Sequence, residues 1–240
     1  MVNAIPMNEP SQAAQPVIVT SAQPVTLIGG GPLGPGDLRL ALAHAPLLVA
    51  ADGGAHAALA AGHMPEAVIG DLDSVGTGHL PGITPERMHR IAEQDSTDFD
   101  KALRNIDAPL VIGVGFCGGR LDHQFAAFST LLEQAARPCI LLGSSDIVFH
   151  APPRLQLDLV PDTRLSLMPL VPLGGRSRGL RWPIDGLRLA PGGRLGTSNR
   201  ATGTVTLDID GKGMLVVLPR AELGAAVAGL AAAPHPGRQR

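Results

Sequence analysis

The sequence predicts a parallel α/β unit followed by an antiparallel β-sandwich, and three observations carry that expectation. Over the first part of the chain, four- or five-residue apolar runs alternate with helix-length stretches, the pattern of parallel strands joined by crossover helices. From about Asp146 helical periodicity stops, and short apolar runs alternating at period two recur between Pro and Gly signals. The length of 240 residues suits one large domain or two modest ones. The expected organisation is a lead-in over 1–24, an α/β unit over 25–145, a β-sandwich over 146–220 and a tail over 221–240.

Composition limits the function classes. A hydrophobic fraction of 45% with 17% charged residues is that of a soluble globular protein. The net charge of −2 gives no electrostatic basis for binding nucleic acid or an anionic membrane. Lys101 and Lys212 are the only lysines, and the other basic side chains are arginine apart from histidine. Cys117 and Cys139 lie far apart, inside or beside apolar runs, and read as buried thiols of a reducing compartment. No apolar run approaches a membrane span, and the first residues lack a basic region followed by an apolar one, so a cytoplasmic protein is expected.

The first 15 residues are polar and Pro-interrupted, and Pro16–Thr20 reads as a short edge strand. Val25–Ile28 is the first clear strand, running into Gly29-Gly-Gly-Pro-Leu-Gly34. Those glycines, with Asp52 after the next strand Leu47–Ala51, fit the dinucleotide pattern G-x-G-x-x-G formally. Pro32 and Pro35 interrupt it, and the helix starts only near Asp37, an acceptable cap. A Gly-rich turn around Gly31 presenting backbone N–H groups to a phosphate is the other reading. Asp52-Gly53-Gly54 is either a close-approach loop or a plain turn into the helix near His56–Ala61.

Ala67–Ile69 forms the next strand and delivers Gly70-Asp71-Leu72-Asp73-Ser74. If the strand persists, Asp71 and Asp73 project together, and two converging carboxylates call for a cation such as Mg²⁺. The same residues also make an Asx-turn. Met88–Ile91 is a weaker strand, followed by a helix that Ser96 or Thr97 caps and whose first turn holds Asp98. Asp95, Asp98 and Asp100 are more acids than a helix start requires. Leu110–Val114 precedes a Gly-rich loop with Arg120, a natural phosphate clamp, and Asp122, either a helix cap or a ligand contact. His123 opens the helix that runs to Gln134, and Cys139–Leu142 is the last parallel strand.

The expected back-half strands are Ile147–Phe149, Leu155–Leu159, Leu165–Met168, Leu187–Leu189, Val205–Ile209 and Met214–Leu218, and one helix is expected after Arg220. Gly31, Asp52, Asp71, Asp73, Asp98 and Arg120 all follow predicted strands, so a parallel sheet brings them to one crevice. Several carboxylates with an arginine there suit metal-bridged polyphosphate chemistry. The Walker pattern, the G-x-S-x-G elbow and H-E-x-x-H are absent.

Six segments in order resemble the thiamine pyrophosphokinase family: Asp52-Gly-Gly-Ala, Gly70-Asp-Leu-Asp-Ser, Gln94 to Leu103, Gly118-Gly-Arg-Leu-Asp-His123, Gly179-Leu-Arg-Trp-Pro183 and Gly196-Thr-Ser-Asn199. The resemblance implies a Rossmann-like α/β domain for ATP and a β-sandwich that helps bind thiamine, in a homodimer whose site lies at the subunit interface. It implies Mg²⁺-dependent transfer of the pyrophosphoryl group of ATP to the thiamine hydroxyl, giving thiamine diphosphate and AMP. Carried onto matching positions, Asp71, Asp73 and Asp98 would hold Mg²⁺. Gln94, Asp95 and Arg120 would meet the nucleotide, with Gly31, Asp52 and Asp122 completing its site. Asp52, Thr197, Ser198 and Asn199 would lie near thiamine. With no tyrosine and one tryptophan, ring stacking falls to Trp182 or a phenylalanine, and Trp182 reads equally as core. Which carboxylate, if any, takes the alcohol proton is left open. The competing readings are a same-fold diphosphokinase acting on another alcohol such as a hydroxymethylpterin, a nicotinamide-dependent oxidoreductase, and a non-catalytic nucleotide or thiamine sensor.

Overall fold

The computed structural model describes residues 17–73 and 80–234. Its front half follows the apolar runs closely: β2 (Val25–Ile28), β3 (Leu47–Ala51), β4 (Ala67–Gly70), β5 (Met88–Arg90), β7 (Val111–Val114) and β8 (Cys139–Leu142). They pair in parallel in the order β8-β7-β2-β3-β4-β5. Side chains alternate between two cores, as strand geometry requires. Ile28, Leu48 and Ala50 face α1 (Asp37–His44) and α2 (Gly54–Ala60), while Leu27, Val49 and Ala51 face α3 (Asp98–Arg104) and α4 (Leu121–Glu133). Burial on both faces explains why these strands read as continuous apolar runs. A two-stranded parallel ribbon of β1 (Val19–Thr20) and β6 (Ile106–Asp107) lies apart from the main sheet.

The back half comprises β9 (Asp146–His150), β10 (Arg154–Leu157), β11 (Arg164–Pro169), β12 (Gly175–Leu180), β13 (Gly196–Ile209), β14 (Met214–Pro219) and α5 (Leu223–Ala232). β9 pairs antiparallel with β8, so hydrogen bonds carry the sheet across the position where the sequence changes texture. Among the described residues the result is one mixed sheet of twelve strands, continuing β9-β14-β11-β13-β10 with β12 also on β13. The fourteen-residue β13 serves two neighbourhoods: its first residues pair with β11, and its last with β10 and β12.

Three local expectations are corrected. Asp37 is the first helical residue, not the cap: Gly36 precedes it at φ 81°, which glycine tolerates without cost. The Asp37 carboxylate accepts from Gly34 N (2.7 Å) and pairs with Arg220 (2.6 Å). Leu187–Leu189 is not a strand but a single bridge, Leu173 to Leu189. β12 was missed because its buried positions include Gly175 and Ser177 and give no apolar run. No helix among the described residues is long and apolar enough to cross a membrane.

Candidate active site

The carboxyl ends of β3 and β4 and the start of α3 converge. Asp52 continues the ladder past β3, its N–H donating to Ile69 O (3.0 Å), and then turns at φ 41°. β4 ends at Gly70, so the period-two argument stops there. Leu72 adopts φ 63°, and Asp73 N donates to Asp71 Oδ1 (3.0 Å), an Asx-turn. This turn corrects the expectation that Asp71 and Asp73 project together: Asp71 points inward and Asp73 is exposed. Thr97 caps α3 by accepting from Asp100 N, placing Asp98 at the first helical position.

Carboxylate oxygens of Asp52, Asp71 and Asp98 lie within 4.8 Å of one another. Gly70 permits this approach, since a Cβ there would sit 2.8 Å from Asp52 Cβ and 3.2 Å from Asp98 Oδ1. Ser74, the last residue of the motif, lies outside the described residues.

Lys101, one turn along α3 from Asp98, is 1% exposed. Its Nζ donates to Asp71 Oδ2 (3.1 Å) and Asp98 Oδ1 (3.3 Å). Burial alone would lower its pKa, but the two carboxylates outweigh burial and hold it above the usual lysine value. The Asp73 N–H is the main cause that keeps Asp71 below the usual carboxylate range, with burial opposing and Lys101 assisting. Burial raises Asp98, and the charges of Asp71 and Asp52 add to the rise against Lys101. Lys101 was not foreseen as a site residue. The signal available was a lysine four residues after Thr97, in a chain with only one other lysine, Lys212.

Gln94 reaches the same carboxylate, its Nε2 lying 3.4 Å from Asp71 Oδ2, while Asp95 is exposed. The Gln94–Thr97 segment is fastened from behind. Glu93 accepts from Arg104 (2.7 Å), from Ser96 Oγ (2.5 Å) and from Asp95 N (3.0 Å). Burial would raise Glu93, yet those three donors bring it down to about 2. Arg104 also binds Asp100 (2.8 Å), which accepts from Gln134 (2.9 Å). Asp100 is therefore part of a structural network.

The Gly-rich turn after β2 departs from expectation. The Gly31 N–H donates to Gly115 O (3.0 Å), and a Cβ at Gly31 would lie 2.4 Å from that oxygen. Gly31 therefore lets two loops touch and has no N–H left for a phosphate. Arg120 precedes α4, is exposed, and grips Asp122 at two points (Nε to Oδ1 3.2 Å, Nη2 to Oδ2 2.6 Å). Asp122 is thus the partner of Arg120 and does not cap the helix. His123 is exposed and Cys117 half-buried, its thiol pushed up to about 11 by burial.

In the back half, Trp182 is 55% exposed, which removes it from the core, and Arg181 lies 5.7 Å from its ring centroid. Asn199 is buried and engaged with that segment: Oδ1 accepts from Trp182 N (3.2 Å) and Nδ2 donates to Trp182 O (2.6 Å). Asn199 therefore braces Trp182 and offers nothing outward. Ser198 at φ 59° donates its N–H to Ser166 Oγ, and Thr197 and Ser198 are exposed.

The acidic group passes a chemical test for a hard divalent cation. Three carboxylates converge with one ammonium, and Asp52 Oδ1 is buried without a hydrogen-bond partner. A buried carboxyl oxygen left unpaired is costly, and a hard divalent cation is a ligand that would satisfy it.

Three comparisons with known proteins agree. The family model "Thiamin pyrophosphokinase, catalytic domain" matches residues 38–141, which include all three clustered acids, Lys101 and Arg120. "Thiamine pyrophosphokinase 1" of Oryza sativa subsp. japonica is 25% identical over 170 residues, 62% of this chain and 64% of the relative. "Thiamine pyrophosphokinase 3" of the same plant is 27% identical over 157 residues, 57% of this chain and 58% of the relative. The chain thus spans about three-fifths of the length of these curated relatives. Among solved structures, thiamin pyrophosphokinase from Geobacillus thermodenitrificans superposes with a TM-score of 0.67 at 25% identity, covering 84% of this chain and 99% of its own. The Candida albicans enzyme, at 17% identity and a TM-score of 0.65, shares the fold.

Proposed function

We propose that this chain is a thiamine pyrophosphokinase, transferring the pyrophosphoryl group of ATP to the hydroxyl of thiamine with release of AMP. The observation that carries the reading is the cluster of Asp52, Asp71 and Asp98, whose unpartnered buried oxygen asks for a cation within the stretch that matches the catalytic domain. Asp71 and Asp98, with Asp52, would hold Mg²⁺; Asp73 joins them on the strength of the sequence resemblance. A divalent cation bound there supplies charge neutralisation of the polyphosphate.

The chain's own residues do the positioning. Gln94 and Asp95 stand beside the cluster on a loop that Glu93 and Arg104 fasten. Arg120, exposed at the start of α4, exchanges Asp122 for phosphate oxygens when nucleotide binds, since guanidinium meets both anions in the same two-point manner. The thiamine hydroxyl gives up its proton, to a carboxylate of the cluster or to water, as its oxygen bonds to the β-phosphorus; the bond from that phosphorus to the α–β bridging oxygen breaks and AMP leaves with that oxygen. Trp182 offers a ring face for thiamine, held by Asn199, with Thr197 and Ser198 nearby in sequence. The finer architecture belongs to the same proposal: a Rossmann-like nucleotide half to about residue 145, a sandwich-like thiamine half to about 220, and a cytoplasmic homodimer with the site at its interface.

The oxidoreductase reading loses support, because the Gly31 N–H is consumed by Gly115 and Asp52 turns into the acidic cluster. A coupled assay for AMP with ATP, Mg²⁺ and thiamine tests the proposal. AMP formed one-to-one with thiamine diphosphate, and only when thiamine is present, supports it. No AMP despite binding of Mg·ATP points to another acceptor alcohol or a sensor.

A further inference from the structure

A buried lysine among carboxylates that call for a metal ion is chemically unusual. Lys101 is among the largest side chains the fold buries completely, and its ammonium donates to two of the three clustered acids. Lysine is almost never fully buried unless it is paired. The pairing is selective, because Asp71 and Asp98 receive the ammonium while Asp52 Oδ1 receives nothing. The choice of residue also matters: an ammonium is a compact point charge that fits between two carboxylates, whereas guanidinium is a wide planar fork.

We propose that Lys101 is an internal counter-ion, a positioning residue that stands in for the divalent cation and keeps the cluster's affinity for free cation low. This rests on the reading of the acids as a metal site. Without Lys101, three carboxylates would face one another with no positive charge, and the empty site would either spread or seize any divalent ion. With Lys101 the carboxylates keep their spacing when empty. The field a metal meets is weakened, so the cation is held well only when phosphate oxygens complete its shell. At these separations one charge alters an ion's affinity by about tenfold or more.

The test is Mn²⁺ titration and thermal unfolding of the full chain without nucleotide, comparing wild type with Lys101→Met. The expected result is free Mn²⁺ binding at least about tenfold tighter in the variant. Its metal-free melting temperature falls, and saturating Mg²⁺ restores most of the loss. Tighter binding with that metal-dependent rescue supports the proposal. An equal fall with and without metal, or unchanged or weaker Mn²⁺ binding, overturns it and makes Lys101 a packing residue. If Lys101→Met does not fold without metal, Lys101→Met/Asp98→Asn removes one carboxylate together with the ammonium. Recovery of metal-free folding then supports the counter-ion role, and no recovery overturns it. Failure of wild type and variant alike to bind Mn²⁺ overturns this inference and the metal reading together. A tenfold tightening without thiamine-dependent AMP leaves the inference standing and removes only the proposed activity.

Discussion

The acidic crevice of the front half and the strands of the back half treat buried polar groups in opposite ways. Around the ends of β3 and β4, Asp52, Asp71, Asp98 and Lys101 are gathered as charges, one carboxylate oxygen is left without a partner, and Asp52 and Leu72 take left-handed backbone. In the back half polar groups are consumed by the fold: Asn199 closes on the Trp182 backbone, and Ser166 on Ser198. His150 is kept neutral there, pushed down to about 4 by burial first and Lys212 second, and its Nε2 accepts from Gly213 N. Convergent, incompletely satisfied charge marks chemistry, because a fold retains it only where a ligand completes it. Satisfied polar groups mark shape. On the proposed reading, the front half would carry the reacting machinery and the back half would present a surface.

That contrast can be broken most directly at the acids. Asp71→Asn should reduce turnover by more than about a hundredfold, since loss of a ligand must cost at least as much as loss of a supporting contact. Asp73→Asn, altering an exposed side chain, should cost less. Steady-state kinetics at matched Mg²⁺ decide, and an equal or larger loss at Asp73 would move the metal site outward along the turn.

The effect expected next in size lies on the presenting surface. Trp182→Ala should raise KM for thiamine about threefold to tenfold with kcat little changed. Asn199→Ala, which frees the Trp182 backbone, should shift the same constant in the same direction. A fall in melting temperature with KM unchanged in both variants would reduce this segment to architecture.

The smallest effect expected is at the fastening behind the crevice. Glu93 titrates at about 2 in the folded chain against 4.5 for an ordinary glutamate. Its stabilising contribution is therefore present above about pH 4.5 and is lost as pH falls toward 2. Acid unfolding of Glu93→Gln should be shallower than wild type in that window and parallel to it above. An unchanged acid limb would mean the Glu93–Arg104 pair contributes nothing to stability.

Much of this was legible in the chain. The strands β2, β3, β4, β7 and β8 are short runs dominated by Val, Ile, Leu and Ala, which is how strands buried on both faces must read. The N-cap Thr97 and the helix behind it follow from local hydrogen bonding. The convergence of Asp52, Asp71 and Asp98 was legible because parallel strands end together. The expected joint projection of Asp71 and Asp73 fails because side-chain alternation stops at Gly70 and Leu72 turns left-handed. β12 was invisible because glycine and serine fill its inward positions.

By itself the sequence determined the order of the parallel strands and helices of the front half, the positions of their loops and which acids follow them, since these depend on propensity and periodicity over a few residues. Tertiary structure alone decided which groups are spent. It gave the Gly31 N–H to Gly115, Asn199 to Trp182, Glu93 to Arg104 and Lys101 to Asp71, while leaving Asp52 Oδ1 unpartnered. Those assignments link residues across loops and neighbouring elements. They are set by burial, which makes each unpaired polar group costly and each pairing a choice of the whole fold.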